Sequence, residues 1–403
     1  MSVSRRAFVA GAAAAAVARP LRAARATPFP RQVGADRFDP WIEVDPEALA
    51  FNVRVVHRLA GGRQVLAVVK NNAYGLGLEL VASVLEPMPE IDGFAVVKAG
   101  AAIALREAGV TKPVLLMGLY GDEEGAELVR WNVHLALTTD DAADRIERAA
   151  RTAGRPARTH AYLDTGMSRM GIPYHRALPW LEGLAERGVR IDGTFMAFTE
   201  EADFDREQLR RFLEVASAAR EAGVELGRLH AASSNGVYHL PEAHLDLVRP
   251  GIALFGAYPS EPDVERAKAE LRPALRLRAR VVRVERLRPG DSVSYGRTYV
   301  AERPTWIATL PAGHTDGVPR EAVKGQKALV GGRLHPFIGA VSASHSIVEV
   351  GEEPTVRVGD VATLVGPDVP EIRPNGIAAA TGRSVYDVLM HLNPSLPRVL
   401  AGA

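Results

Sequence analysis

The sequence predicts an α/β fold, a (β/α)8 TIM-type barrel followed by a mostly β C-terminal domain. Short apolar runs alternate with amphipathic stretches from Trp41 to about residue 270, and polar or glycine-rich residues fall directly after those runs. Past Leu275 the pattern changes to short β-rich segments separated by turn signals. At 403 residues the chain exceeds one ordinary core and suits two domains.

The first apolar runs are Val65–Val69, Gly93–Val97, Val114–Met117 and His134–Thr138. His160–Leu163, Gly193–Phe198, Leu229–Ala232 and Leu245–Val248 follow. Between them Ala99–Ala108, Asp141–Ala153 and Glu207–Ala222 carry apolar residues at three- and four-residue spacing, the mark of a helix with one buried face. A doubly wound open sheet fits this alternation nearly as well. The polar residues that follow the strands favour the barrel, which builds its site there. Beyond residue 270, Leu277–Leu287, Ser292–Tyr299, Thr305–Leu310, Gln326–Leu334 and Phe337–Val350 read as strands of a separate domain, with Arg288-Pro289-Gly290 as a turn. Residues 378–403 read as a helix and a closing loop. The predicted domains are 41–270 and 271–403.

Charges nearly cancel, at net +1, and nothing points to a nucleic-acid partner. There is no cysteine, which removes disulfides, thiolate metal ligands and thiol nucleophiles. The eleven histidines form no metal-binding spacing; His239 and His244 are five apart, off register for one helix face. Residues 1–26 read as an export signal: Ser4-Arg5-Arg6-Ala7-Phe8 resembles a twin-arginine motif, an alanine-rich run follows, and Ala24-Arg25-Ala26 offers a cleavage site. Arg19 and Arg22 interrupt the apolar run, which is too short to span a bilayer. Residues 27–40 read as a polar leader.

The first barrel strand ends in Lys70 and runs into Asn71-Asn72-Ala73-Tyr74-Gly75. A lysine there either caps the strand and reaches water, or serves as an amine whose basicity burial lowers and whose nucleophilicity toward carbonyls rises. Ser233-Ser234-Asn235-Gly236 follows the seventh strand and Arg249-Pro250-Gly251-Ile252 the eighth. Serine and asparagine here suit a plain helix cap, but loops after these two strands are a recurrent phosphate site. Tyr74 adds a hydroxyl donor.

Together these segments resemble the alanine racemase family. Its markers run in order through Trp41-Ile42-Glu43-Val44-Asp45, Lys70-Asn71-Asn72-Ala73-Tyr74-Gly75 and Asp164-Thr165-Gly166-Met167-Ser168-Arg169-Met170-Gly171. They continue in Val248–Ile252, Val293-Ser294-Tyr295-Gly296-Arg297-Thr298-Tyr299 and, more loosely, Gly313–Arg320. The resemblance implies a pyridoxal-phosphate-dependent amino-acid racemase, alanine being the default substrate, in a head-to-tail homodimer with shared sites. Lys70 would hold the cofactor and serve as base on one face of the substrate. Tyr295 of the partner copy would serve the other face. Arg249 would meet the pyridine nitrogen, while Tyr74, Ser234, Gly251 and Ile252 would bind the phosphate end. Arg169 would face the substrate carboxylate, and His314 and Ala343 would line the entrance.

Departures from the family pattern cluster around this site. Ala197 stands where the family has a histidine, and Tyr162 where many members have a lysine. Ser342-Ala343 replaces a Met-Asp pair, His314 an entrance tyrosine, and Pro394 stands where some members place a phosphate-binding tyrosine. Trimming to Ala343 suits substrates larger than alanine; losing the group at position 197 suits a weak or inactive binding homologue. A decarboxylase of the same fold group would use a cysteine, which this chain lacks. The signal places the enzyme in the periplasm, supplying D-amino acids to the wall or recovering L-amino acids from it.

Overall fold

The computed structural model describes residues 37–260 and 262–401; the signal-like residues 1–26 and most of the leader lie outside them. Eight parallel strands form one sheet: Gln64–Val68, Ile91–Val96, Val114–Leu116, His134–Leu137, Arg158–Asp164, Ile191–Phe195, Arg228–His230 and Leu247–Val248. The last pairs with the first (Val248 with Val65), and the sheet closes where Asp246 N–H donates to Leu229 O (3.1 Å) and Arg249 N–H to Ala232 O (2.8 Å). These strands are continuous apolar runs because both faces are covered, by helices outside and inward-pointing side chains within. Val65, Leu66, Ala67 and Val68 are all buried.

The surrounding helices follow from their spacing. Ala142–Ala153 buries Ala142, Ala143, Ile146 and Ala149, one stripe on an otherwise charged helix. Ala202–Glu221 begins at Glu201, whose carboxylate accepts from the N–H groups of Asp203 and Phe204, and turns Leu209, Phe212 and Ala216 inward.

The second sheet has nine strands and is the core of the C-terminal domain. Leu275–Arg280 alternates, with Leu275, Leu277 and Ala279 inside and arginines between them. Trp41–Val44, grouped with the barrel in the sequence, pairs in this sheet instead. It runs antiparallel to Leu275–Arg280 and parallel to the last strand, Arg398–Leu400. Both ends of the described chain therefore meet outside the barrel. Val361–Val365, which the sequence reading passed over, is a central strand pairing with Leu275–Arg280 and Lys327–Val330. Its five residues carry no alternation because nearly all are buried.

Asn52 joins the two parts. It is fully buried on helix Pro46–Leu59; its Nδ2 donates to Leu254 O (3.2 Å) and Arg272 O (2.8 Å), and its Oδ1 accepts from Arg272 N–H (2.8 Å). Both its amide hydrogens and its carbonyl oxygen are engaged by the segment that leaves the barrel. Asn52→Ala strands buried backbone groups and is expected to cost about 3 kcal/mol in denaturant unfolding, with no change in m-value; a cost under about 1 kcal/mol would show that these groups find other partners.

Candidate active site

Lys70 follows the first barrel strand by two residues, at the end where a parallel barrel gathers its functional groups. The next four residues, Asn71, Asn72, Ala73 and Tyr74, have φ of 52, 56, 51 and 53°, a left-handed helical turn closed by Gly75 at φ 87°. Asparagine tolerates this region; alanine and tyrosine pay a steric cost of about 1–2 kcal/mol each. Asn72 Oδ1 accepts from Leu78 N–H (2.9 Å), and Gly77 N–H donates to Asn72 O (2.9 Å). The turn folds Tyr74 back under the strand end. Its ring packs on Phe255 with centroids 4.8 Å apart, and Lys70 Nζ lies 5.9 Å from its centroid. Burial, reinforced by the Arg169 guanidinium and opposed by Glu200, holds the Lys70 amine below the ordinary lysine range.

Ser234, Gly251 and Ile252 come together beside this turn. Ser234 Oγ accepts from Gly251 N–H (3.0 Å) and Ala253 N–H (3.2 Å), so its own hydrogen remains to donate. A Cβ on Gly251 would lie 2.1 Å from the Tyr74 hydroxyl, so only glycine admits that approach. Burial pushes the Tyr74 phenol far above its ordinary range and keeps it a donor. Ser233 Oγ donates to Glu200 (3.3 Å), whose carboxyl is raised by burial and lowered by this bond and by Lys70.

Arg249 is buried with four side-chain hydrogen bonds and no carboxylate. Nη1 donates to His230 Nδ1 (2.9 Å) and His230 O (2.7 Å), and Nη2 to Met196 O (2.6 Å) and Ala231 O (3.3 Å). Burial pushes the guanidinium down to about 10, so it stays charged at neutral pH. Its Nε makes no protein hydrogen bond among the described residues. The network continues: His230 Nε2 lies 2.9 Å from His160 Nδ1, and His160 Nε2 lies 3.2 Å from His134 Nδ1. Gly193 makes room, since a Cβ there would lie 2.6 Å from His160 Nδ1. Because arginine can only donate, His230 must accept at Nδ1 and donate from Nε2, and each following imidazole repeats the pattern. Burial holds His134 near 4 and the other two well below the ordinary imidazole range.

Asp164 shapes the loop that carries Arg169, its Oδ1 accepting from Gly166 N–H and Ser168 N–H, both at 3.0 Å. Arg169 is exposed. Tyr162 stacks on Phe195 with centroids 4.3 Å apart, and Ala197 offers only its carbonyl, to Gln208 Nε2 (3.2 Å).

The remaining predicted residues stand on the rim of the C-terminal domain. Tyr295 is 76% exposed between Ser294 (φ 62°) and Gly296 (φ 71°), and Ser294 Oγ anchors that turn on Ala340 O (2.5 Å). Nearby, His314 N–H donates to Ser342 O (2.9 Å), Thr315 Oγ1 to Ala343 O (2.7 Å), and Arg320 Nη2 to His314 Nε2 (3.1 Å). One chain thus brings together Lys70, Tyr74, Arg249, Ser234, Gly251 and Ile252, and separately His314 and Ala343. No hydrogen bond joins Tyr295 to the first group among the described residues.

Two features escaped the sequence reading. Pro394 O accepts from Arg398 Nη1 (2.8 Å), and Tyr386, on helix Val385–Met390, places its ring 6.4 Å from that of Tyr74. The Ser-Val-Tyr-Asp context carried a usable helix-start signal, Ser384 capping Tyr386 N–H. The histidine chain had none, since its members lie 26 and 70 residues apart.

The residues present fit pyridoxal phosphate. They offer an amine of lowered basicity for its aldehyde, a serine, a tyrosine and glycine-lined backbone for its phosphate, and a guanidinium edge for its ring. Residues 44–259 match the model of the alanine racemase N-terminal domain, and residues 274–400 that of the C-terminal domain. The chain is 34% identical over 375 residues to the alanine racemase of Desulforamulus reducens, covering 90% of this chain and 99% of that one. It is 36% identical over 368 residues to that of Carboxydothermus hydrogenoformans, covering 89% and 98%. The crystal structure of alanine racemase from D-cycloserine-producing Streptomyces lavendulae superposes with a TM-score of 0.84 at 29% identity, covering 91% of this chain and 98% of that one.

The three histidines have folded-state pKa values below their unfolded value of about 6.5, so the unfolded chain binds more protons as pH falls. Stability is therefore expected to decline below about pH 6.5 and to keep falling through about 4, where His134 charges. Nitrogen-15 NMR at neutral pH should show all three as the Nε2–H tautomer; an Nδ1–H signal from His230 would overturn the ordered chain.

Proposed function

The chain belongs to the alanine racemase family, and from that premise we propose a pyridoxal-phosphate-dependent racemase that interconverts L- and D-amino acids, alanine by default, with two bases. The observation that carries the reading is Lys70: an amine of lowered basicity, at the head of a strained turn, beside a cradle of Ser234, Gly251 and Tyr74. When bound, pyridoxal phosphate supplies an electron sink for the pair left at the substrate Cα when its proton departs. Lys70 Nζ moves that proton on one face. Arg249, whose Nε makes no protein hydrogen bond among the described residues, would meet the cofactor ring and, as a permanent donor, would not deliver it a proton. Arg169 orients the substrate carboxylate.

Tyr295 is assigned the opposite face, supplied by a second copy of the chain. Its exposure on a strained turn, with no hydrogen bond to Lys70 or its neighbours among the described residues, supports a head-to-tail dimer with shared sites. His314 and Ala343 would then border the partner's entrance. The small side chains at Ser342 and Ala343 support a pocket that takes substrates beyond alanine. Ala197, which presents no imaginable acid or base beside the site, favours the second reading, a catalytically weak binding homologue. The twin-arginine-like segment supports export to the periplasm, a route that carries proteins already folded around their cofactor.

In heavy water the loaded enzyme should convert L-alanine into Cα-deuterated D-alanine; no exchange with alanine or larger amino acids would leave the binding homologue. Tyr295→Phe should cut racemisation by about 10³-fold while Cα exchange of one enantiomer continues, and exchange lost equally from both would sink the two-base scheme. Replacing Arg5 and Arg6 by lysine should retain the protein in the cytoplasm on fractionation, whereas unchanged export would remove the twin-arginine assignment.

A further inference from the structure

Arg398 opens the last strand of the C-terminal sheet, yet two of its five side-chain hydrogen bonds reach the barrel. Nε and Nη2 donate to Gly75 O at 3.1 and 2.7 Å, across 323 residues of sequence. Nη1 donates to Pro394 O (2.8 Å) and Leu396 O (2.7 Å), and Nη2 also to Asn393 O (3.1 Å). Every acceptor is a backbone carbonyl, and no carboxylate pairs with this half-buried cation among the described residues. A charged group desolvated without a counter-ion persists only when its bonds are well formed.

Two of these bonds meet on Gly75, the residue that ends the left-handed turn of Asn71–Tyr74, while the other three brace the guanidinium on residues 393–396. Left to itself, that turn would relax toward negative φ at Ala73 and Tyr74, carrying the Tyr74 hydroxyl away from Gly251. Other contacts from the C-terminal domain close the grip. A Cβ on Gly75 would lie 2.4 Å from Leu389 O, a Cβ on Gly77 would lie 2.8 Å from Arg398 Cδ, and Asn71 Nδ2 donates to Met390 Sδ (3.2 Å).

We propose that Arg398 is a positioning residue: by clamping Gly75 O it holds the strained turn, and with it the Lys70 amine and the Tyr74 hydroxyl, in register for cofactor capture. The word cofactor rests on the racemase reading; the clamp itself does not. The C-terminal strand thereby couples the state of the second domain to the lysine of the first.

The test compares Arg398→Met and Arg398→Lys with Val399→Ala, which loosens the same strand without touching Gly75. In the cofactor-free full chain, hydrogen exchange at the amides of residues 73–78 should accelerate about tenfold or more in Arg398→Met, as expected for losing charge-assisted bonds. Arg398→Lys, with its charge but no fork, should fall between Met and wild type, and Val399→Ala should leave those amides unchanged. The rate at which added pyridoxal phosphate develops its lysine-bound absorbance should drop in the same order, with its pH midpoint moved upward as the amine gains solvent. Unchanged exchange in Arg398→Met, or equal acceleration in Val399→Ala, would overturn the clamp. If wild type took up no pyridoxal phosphate, the cofactor reading would fail while the exchange measurement still decided the clamp.

Discussion

A guanidinium enclosed by the barrel with no carboxylate beside it sets terms that its surroundings have to meet. Arg249 donates and never accepts, so each neighbour must accept: the carbonyls of Met196, His230 and Ala231, and one nitrogen of His230. Its own N–H closes the barrel on Ala232 O. One residue therefore seals the sheet, orders the histidines and leaves an Nε–H edge for a ligand. Replacing His230, the one side chain among these acceptors, with a group that only donates would leave the buried cation less compensated, the costly side of such pairs.

A second constraint comes from the chain ends. Trp41–Val44 and Arg398–Leu400 lie side by side in the C-terminal sheet, so the barrel hangs between two strands of the other domain. Asn52 ties the barrel's first helix to the exit at Arg272, and Arg398 grips the turn after Lys70. The strain in that turn is thus opposed from outside the domain that contains it, a common arrangement where a functional side chain must stand in one place.

The barrel was legible because eight buried parallel strands leave eight apolar runs, and the predicted runs overlap the observed strands. The loops that carry Lys70, Ser234, Arg249 and Gly251 were legible because each begins where a barrel strand ends, while the roles given to these residues came from the family resemblance. Less visible were short elements set by pairing: Val361–Val365 lacks alternation, and Trp41–Val44 reads the same whichever sheet receives it. Tyr386 was missed because its place depends on how the terminal helix docks against Tyr74, not on its spacing from any motif.

By itself the sequence indicated a barrel followed by a mostly β domain, because strand periodicity is written in neighbouring residues, and its resemblance to the alanine racemases pointed to the cofactor. Tertiary structure alone decided the left-handed turn at Asn71–Tyr74, the direction of the histidine chain and the clamp from Arg398. Each depends on groups 26 to 323 residues apart whose donors and acceptors meet only when the barrel closes and the last strand docks. Hydrogen-bond direction is a property of the assembled network, and no single segment contains it.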